Sequence, residues 1–467
     1  MEDHGKVKHQ AKRGLSRRLV LFPVPLQGHI NPMIQLANIL HSKGFSIIII
    51  HTKFNSPDHS KYPHFTFHFI PDGLLEHETS TSDVPILLKQ LNLNCVSPFR
   101  DCLASLLSDA NDEPVACLIA DTIWYFTQDL ADSFKLPTIV FRTTSICSLL
   151  AFHALPLFHE KGYLPKEDSQ LQLPVTEFPP LKVKDIPVIK SQIQGGIDRL
   201  IITMMEKVKA ASGIIFNSFK ELEELELTKT SQDFGIPTFA IGPLHKYFPA
   251  SSSSLMKQER GAILWLDKQA LKSVIYVSFG SIAEMDETQL SEVAWGIANS
   301  MQPFLWVIRP GLVQNSQELA RLPNGFLEAV DGRGYIVKWA PQQEVLAHPA
   351  IGGFWTHSGW NSTLESICEG VPMICSPFFG DQMVNARFAN DVWKIGIQLE
   401  KGLARGEIER AIRRLMAEKE GKEIRERVMS LKEKIDFCVK EGGSSYQSLA
   451  SLTDYISSFS ISGPVSQ

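Results

Sequence analysis

No uninterrupted apolar run in the 467-residue sequence approaches the ~18 residues a helical membrane span needs. The longest candidates are broken by Pro, Gly or charge, so a soluble chain without a membrane span is expected. There is no long basic stripe either. With a net charge of −5 and a pI near 6.3, nucleic acid is excluded as the main partner. The one basic cluster, KVKHQAKRGLSRR at residues 6–18, is followed by LVLFPVP, which is too short and proline-broken for a signal peptide. Residues 1–18 therefore read as a flexible tail. The seven cysteines, at 95, 102, 117, 147, 368, 375 and 438, are odd in number and contain no CxxC pair. That fits reduced thiols and a cytoplasmic location, with no disulfide frame and no metal site. The turn VPLQGHINP lacks G-x-G-x-x-G, and the second strand ends in HT without a ribose-binding acid, which disfavours a nicotinamide-dependent oxidoreductase.

What is present is an alternation of short β-branched runs with helical patterns, the mark of βαβ units and parallel sheets. RRLVLFPV reads as a strand. After it Asn31 can cap a helix with Pro32 at its first position, and Met33, Leu36, Ala37 and Leu40 form its apolar stripe. FSIIIIHT, VACLIAD (115–121), LPTIVFR (136–142) and SGIIFNS (212–218) continue the pattern. It breaks at HKYFPASSSSLMKQER, residues 245–260, which has the composition of an exposed linker. It restarts at SVIYVSFGS (273–281) and runs through FLWVIRP, GYIVKWA, IGGFWTH, VPMICSP and GIQLE. The chain is long enough for two domains. Their expected limits are 19–244 and 261–445, with 446–467 as a C-terminal helix and tail.

In such sheets ligands gather beyond the carboxyl ends of the strands, where helix N-termini and backbone amides converge. Three ends in the second half are rich in polar groups: Gly280 with Ser281, Trp339 to Gln342, and His357 to Ser362. In GGFWTHSGWNSTLE, residues 352–365, a helix starting near Trp360 or Asn361 offers free N–H groups and a partial positive charge suited to a phosphate. His357, Asn361 and Ser362 can donate to phosphate oxygens, and Glu365 can accept from ribose hydroxyls. A nucleoside diphosphate fits this grouping. The competing reading is that Ser358 or Asn361 merely caps the helix and His357 is incidental.

Residues 339–382, WAPQQEVLAHPAIGGFWTHSGWNSTLESICEGVPMICSPFFGDQ, resemble almost position for position the signature box of plant secondary-product UDP-glycosyltransferases. The likeness extends to PVPLQGHINPMIQLANIL, CLIADTIWYF, FNSFKELE and GGSSYQSL, and so spans essentially the whole chain. It is strongest toward the subgroup holding a steviol glycoside glucosyltransferase and cytokinin and nicotinate N-glucosyltransferases. The resemblance implies a GT-B fold, an α/β architecture of two Rossmann-like domains facing across a cleft, the first gripping the acceptor and the second a UDP-sugar. It implies that Trp339 stacks on uracil, that the Ala340 backbone and Gln342 contact the nucleoside, and that Glu365 binds ribose. His357, Asn361, Ser362 and Ser281 would hold the diphosphate, and Thr143, Trp360, Asp381 and Gln382 would face the sugar. Glutamine at 382 accompanies glucose in that family. UDP-glucose as donor substrate, no cofactor and a monomeric enzyme are the expectations.

The first half has to supply the chemistry. His29, in LQGHINP, is expected in the loop between the first strand and its helix, facing the cleft, with a pKa suited to taking an acceptor proton. Asp121, closing VACLIAD, can fix the imidazole tautomer and stabilise the imidazolium; its plainer role is a helix cap. In the resembling family these two positions form the catalytic dyad. The expected reaction is a single in-line displacement at C1 of UDP-glucose with inversion, without a covalent intermediate or a required cation. Segments 76–100, 145–160 and 185–205, rich in Leu, Ile, Phe and Met, are expected to line an apolar acceptor pocket. Diterpenoid glycosides, flavonoids and small heteroaromatic acids or amines are all compatible acceptors, so N- or carboxyl-glucosylation stays open beside O-glucosylation. A non-catalytic UDP-sugar-binding protein is the remaining alternative, and the presence of both His29 and Asp121 counts against it.

Overall fold

The computed structural model describes residues 17–75, 83–109, 113–189, 191, 197–248, 256, 258–313 and 322–460. The strands of the first half are β1 (Arg18–Phe22), β2 (Ser46–Thr52), β3 (Thr66–Ile70), β4 (Val115–Asp121), β5 (Thr138–Arg142), β6 (Gly213–Phe216) and β7 (Thr238–Ala240). They form a parallel sheet in the order β3-β2-β1-β4-β5-β6-β7. The second half contributes β8 (Val274–Ser278), β9 (Phe304–Val307), β10 (Gly334–Val337), β11 (Ile351–Thr356), β12 (Met373–Cys375) and β13 (Gly396–Gln398). These form a second parallel sheet, ordered β10-β9-β8-β11-β12-β13.

Helices cover both faces of each sheet, so the central strands are apolar on both sides, as a parallel sheet requires. Leu19 and Leu21 of β1 join one core with Met33, Leu36 and Leu40, while Val20 and Phe22 join the opposite core, where Phe22 stacks on Trp124 at 4.4 Å. The C-terminal helix, Ser444–Ser458, crosses back to the first sheet. It buries Leu449, Leu452 and Ile456 in that sheet's core, and Tyr455 donates to the Ser212 carbonyl at 2.7 Å.

Several local readings change. Arg18 opens β1 and Arg17 Nη1 donates to the Phe459 carbonyl at 2.9 Å, so these two residues belong to the fold; residues 1–16 of the expected tail lie outside the described residues. Strands β3 and β7 carry no clear sequence signal of their own. Of the linker, 249–255 and 257 lie outside the described residues, but Glu259 docks on the end of β10, its N–H on the Trp339 carbonyl at 2.8 Å and its carboxylate on the Lys338 N–H at 2.7 Å. The first helix runs Gln27–Ser42, four residues earlier than Asn31, and Pro32 lies inside it. His29 is therefore in the helix's first turn and not in a loop before it.

In each sheet the strand order reverses beside a central strand: β1 lies between β2 and β4, and β8 lies between β9 and β11. The crevice at such a reversal is where open α/β sheets bind ligands. His29 follows β1 and Asp121 ends β4; Ser281 follows β8 and His357 follows β11. The two crevices face each other.

Candidate active site

Asp121 is 2 % exposed, and its Oδ2 lies 2.7 Å from His29 Nδ1. Its other oxygen accepts from the Ile123 N–H at 3.1 Å, a turn that fixes the carboxylate and is not a helix cap. A carboxylate this close accepts, so Nδ1 carries the imidazole proton and Nε2 is left with its lone pair. Thr143 Oγ1 stands 3.0 Å from the same Nδ1, which places it against the imidazole as well as in the cavity wall.

Pro32 explains a contact across the cleft. Having no N–H, it leaves the Gly28 carbonyl, four residues earlier, without its helical partner. Asn361 Nδ2 from the other domain donates to that carbonyl at 2.9 Å. The helix after β11 runs Trp360–Cys368, with Gly359 as its N-cap and no side chain bonded into its first turn. The capping reading of Ser358 and Asn361 is therefore wrong, and the first-turn N–H groups remain open to an anion. Ser358 adopts φ 64° to make the turn. A Cβ at Gly280 or at Gly359 would fall on the His357 ring, so glycine at both positions is what admits the imidazole. Burial, with Arg309 nearby, pushes the His357 pKa down to about 4. At neutral pH it is an uncharged N–H donor. Arg309, which carries no motif signal, holds the loop around Ser281 by donating to the Gly280 carbonyl at 3.0 Å and to the Ala283 carbonyl.

His29, Thr143, His357, Gly359 and Asn361 line a cavity of about 310 Å³ that also takes in Ser281, Trp339, Ala340, Gln342, Asp381 and Gln382. Gln342 Nε2 donates to Glu365 Oε2 at 2.7 Å and to Ser362 Oγ at 2.9 Å, and Gln343 Nε2 donates to Glu365 Oε1 at 2.8 Å. Burial raises the Glu365 pKa against these donors. Gln343 was missed from sequence because neighbouring glutamines on a helix normally face different ways. The Trp360 indole does not face the cavity with its N–H, which donates to the Asn217 carbonyl at 2.7 Å; what Trp360 can offer a ligand is its main-chain amide. Gln382 is 5 % exposed, and its Oε1 accepts from Phe378 and Phe379 N–H at 2.9 and 3.3 Å, which leaves Nε2 as its donor. Asp381 Oδ2 accepts from Asn385 Nδ2 at 3.0 Å. Burial raises its pKa, with Arg142, Asn385 and His29 acting in the opposite sense.

A second cavity, about 750 Å³, opens on the first domain's side and is lined largely by apolar groups such as Leu88, Phe152, Ile201, Met204 and Phe378. The first four come from all three segments expected to line an acceptor pocket, although 76–82, 190 and 192–196 lie outside the described residues. Phe378, Phe379 and Asp381 show that the second domain also builds this wall. The cavities share Leu26, His29, Thr144, Ile282, Phe379 and Asp381. Among the described residues no group of three or more His, Cys, Asp or Glu could hold a metal ion, and no helix is long and apolar enough to cross a membrane.

The family model for "UDP-glucoronosyl and UDP-glucosyl transferase" matches residues 77–435. The chain is 53 % identical over 441 residues to UDP-glycosyltransferase 76B1 of Arabidopsis thaliana, covering 94 % of this chain and 98 % of the relative. It is 51 % identical to UDP-glycosyltransferase 76G1 of Stevia rebaudiana, covering 95 % of this chain and 97 % of the relative. Among solved structures it superposes with a TM-score of 0.77 at 27 % identity, over 95 % of this chain and 100 % of the other, on UGT2 of Phytolacca americana complexed with UDP-2fluoro-glucose and pterostilbene. With two facing parallel-sheet domains, the GT-B arrangement, this chain belongs to the UDP-glycosyltransferase family and is an enzyme of that class.

Proposed function

We propose that the protein transfers glucose from UDP-α-D-glucose to a hydroxyl group of a small apolar plant metabolite, with inversion at C1. The observation that carries this reading is the place of His29, which is held by Asp121 at 2.7 Å in the wall common to both cavities. A sugar in the smaller cavity and an acceptor in the larger one would meet at His29 Nε2. The acceptor O–H gives its proton to Nε2 as its oxygen bonds to C1. The bond from C1 to the β-phosphate oxygen breaks, and UDP leaves with the electron pair. Asp121 stabilises the imidazolium so formed. The open first turn of Trp360–Cys368, neutral His357, Ser362 and Ser281 receive the diphosphate, and their preorganised donors offset its charge without a cation. Trp339 stacks on the base, the Ala340 backbone and Gln342 meet the nucleoside, and Glu365 meets the ribose. Asp381 accepts from sugar hydroxyls and Gln382 Nε2 donates to them. Thr143 serves from beside His29. Action as a monomer is part of this proposal.

The test is incubation of the purified protein with UDP-glucose and a panel of hydroxylated plant metabolites. UDP release with a β-configured glucoside, read from the anomeric coupling, is the expected result. An α-glucoside would overturn the displacement mechanism. UDP-glucose binding with no product from any acceptor would overturn the transferase reading of this site.

A further inference from the structure

Most polar side chains around the larger cavity already have partners. Asp83 accepts from Ser191 Oγ at 2.9 Å and from the Ile86 N–H at 3.1 Å; His159 pairs with Asp198 at 2.9 Å; Lys166 Nζ donates to the Lys184 and Ile186 carbonyls at 2.9 and 2.8 Å. Arg142 does not. It ends β5, is 6 % exposed and lines the cavity, yet among the described residues its guanidinium makes no ion pair and no hydrogen bond, and its Nε is buried without a partner. Its Cζ lies 5.5 Å from the Phe152 ring centroid, which braces the guanidinium at the cavity wall. Asp381 and Asp121 act on it electrostatically, but neither is within ion-pair reach. Burial lowers the Arg142 pKa, with those two carboxylates acting in the opposite sense; a guanidinium keeps its proton in proteins, so a cation stands here with its donors unused.

A buried cation with unused donors is costly unless something fills the site. The planar guanidinium fork matches a carboxylate in two parallel hydrogen bonds. Asp381 and Asp121 make a doubly charged anion unfavourable there, so a single negative charge is the better match. We propose that Arg142 is the acceptor-specificity residue of this enzyme and that its preferred acceptors are hydroxycarboxylic acids, an apolar body carrying one carboxylate that Arg142 holds. This rests on the larger cavity being the acceptor site. The carboxylate is the anchor and not the nucleophile, because a guanidinium on both oxygens draws off the charge that attack on C1 would need. A separate hydroxyl on the acceptor reaches His29, loses its proton to Nε2 and bonds to C1 as UDP leaves.

The test compares small hydroxycarboxylic acids with their carboxamides, pair by pair, in two measurements. The first is calorimetric binding to the UDP-bound enzyme, which needs no turnover; the second is kcat/KM with saturating UDP-glucose. In the wild type, acids should exceed their carboxamides by about 10- to 100-fold in both, the usual worth of hydrogen bonds to a charged group. Arg142→Gln should bring that ratio close to one, and Arg142→Lys, which keeps the charge but loses the fork, should leave an intermediate ratio. The products should be glycosides stable to mild alkali. If no pair shows an acid preference, if Arg142→Gln lowers acid and carboxamide alike, or if the product is an alkali-labile glucose ester, the proposal is overturned. Should no acceptor turn over, the binding ratio still decides the role of Arg142, while the transferase reading of the site fails separately. Should Arg142→Gln not fold, the wild-type and Arg142→Lys ratios decide.

Discussion

Replacing Asp185 by Asn should loosen the cleft at a single buried charge. Asp185, from the first half, accepts from Arg387 Nε of the second half at 2.8 Å, with both side chains at most 2 % exposed. Burial works against the Arg387 charge, but Asp185 and Glu400 outweigh it and hold its pKa above the ordinary value. Removing one partner of a buried pair typically costs about 3–5 kcal/mol, because the other charge stays behind. Here Arg387 Nη1 keeps Asp391 at 3.0 Å and Glu400 at 2.9 Å, each a third exposed and partly screened, so about 2–4 kcal/mol is expected. That corresponds to a fall of roughly 5–10 °C in Tm, read by scanning calorimetry. Arg387 ends the helix Asp381–Arg387 that begins with Asp381 and Gln382, so KM for UDP-glucose should rise in the same variant. Converting the pair to Asp185→Leu with Arg387→Met should restore much of the Tm, because no charge is then left buried. A Tm for Asp185→Asn within about 1 °C of wild type would refute the reasoning.

UDP-glucose is expected over UDP-galactose, because glutamine at position 382 accompanies glucose in the resembling family, and here its Nε2 is left to donate to the sugar; an equal or higher kcat/KM with UDP-galactose would contradict this. Turnover should survive excess EDTA, because helix amides, His357, Ser362 and Ser281 are assigned to the diphosphate; loss of activity restored by Mg2+ or Mn2+ would count against that assignment. Glu223 is buried and accepts from Ser218 Oγ at 2.6 Å and the Cys147 N–H at 2.8 Å, and burial pushes its pKa up from 4.5 to about 7. The folded state therefore keeps a proton that the unfolded chain has released, so this contribution to stability is present below pH 4.5 and lost as pH rises through about 7. The Tm advantage of wild type over Glu223→Gln should accordingly shrink from pH 5 to pH 8, and a constant difference would rule the titration out.

The architecture was legible because buried parallel strands are written as unbroken apolar runs: VACLIAD became β4 with the same limits. β3, TFHFI, was not read because it is an edge strand with Phe67 and His68 only partly buried, Thr66 exposed and Phe69 55 % exposed, and β7 is only three residues long. The start of the first helix was misread for a local reason. Asn31–Pro32 is a common helix opening, but the Gly28 carbonyl that Pro32 leaves unpaired is taken by Asn361, a partner 333 residues away. Such pairings leave no trace in sequence spacing, and the same holds for the indole of Trp360 on Asn217. The junction after β11 reads as a candidate anion site because glycines and donors cluster there within a few residues, and the structure leaves its first-turn N–H groups without side-chain partners. Arg142 was passed over because a charged residue at a strand end usually reaches solvent, and only the enclosing helices and Phe152 make it a buried cation.

The central claim is that His29 takes the acceptor proton while the other domain holds UDP, and His29→Ala tests it most directly when turnover and UDP affinity are measured on the same preparation. With an alcohol acceptor, kcat should fall by about 100-fold or more, the usual worth of a general base, while the calorimetric Kd for UDP stays close to wild type. Asp121→Asn should lower kcat less, and the double variant should fall far short of additivity, because the pair joined at 2.7 Å acts as one unit. Near-wild-type kcat/KM for His29→Ala with that acceptor would contradict the account.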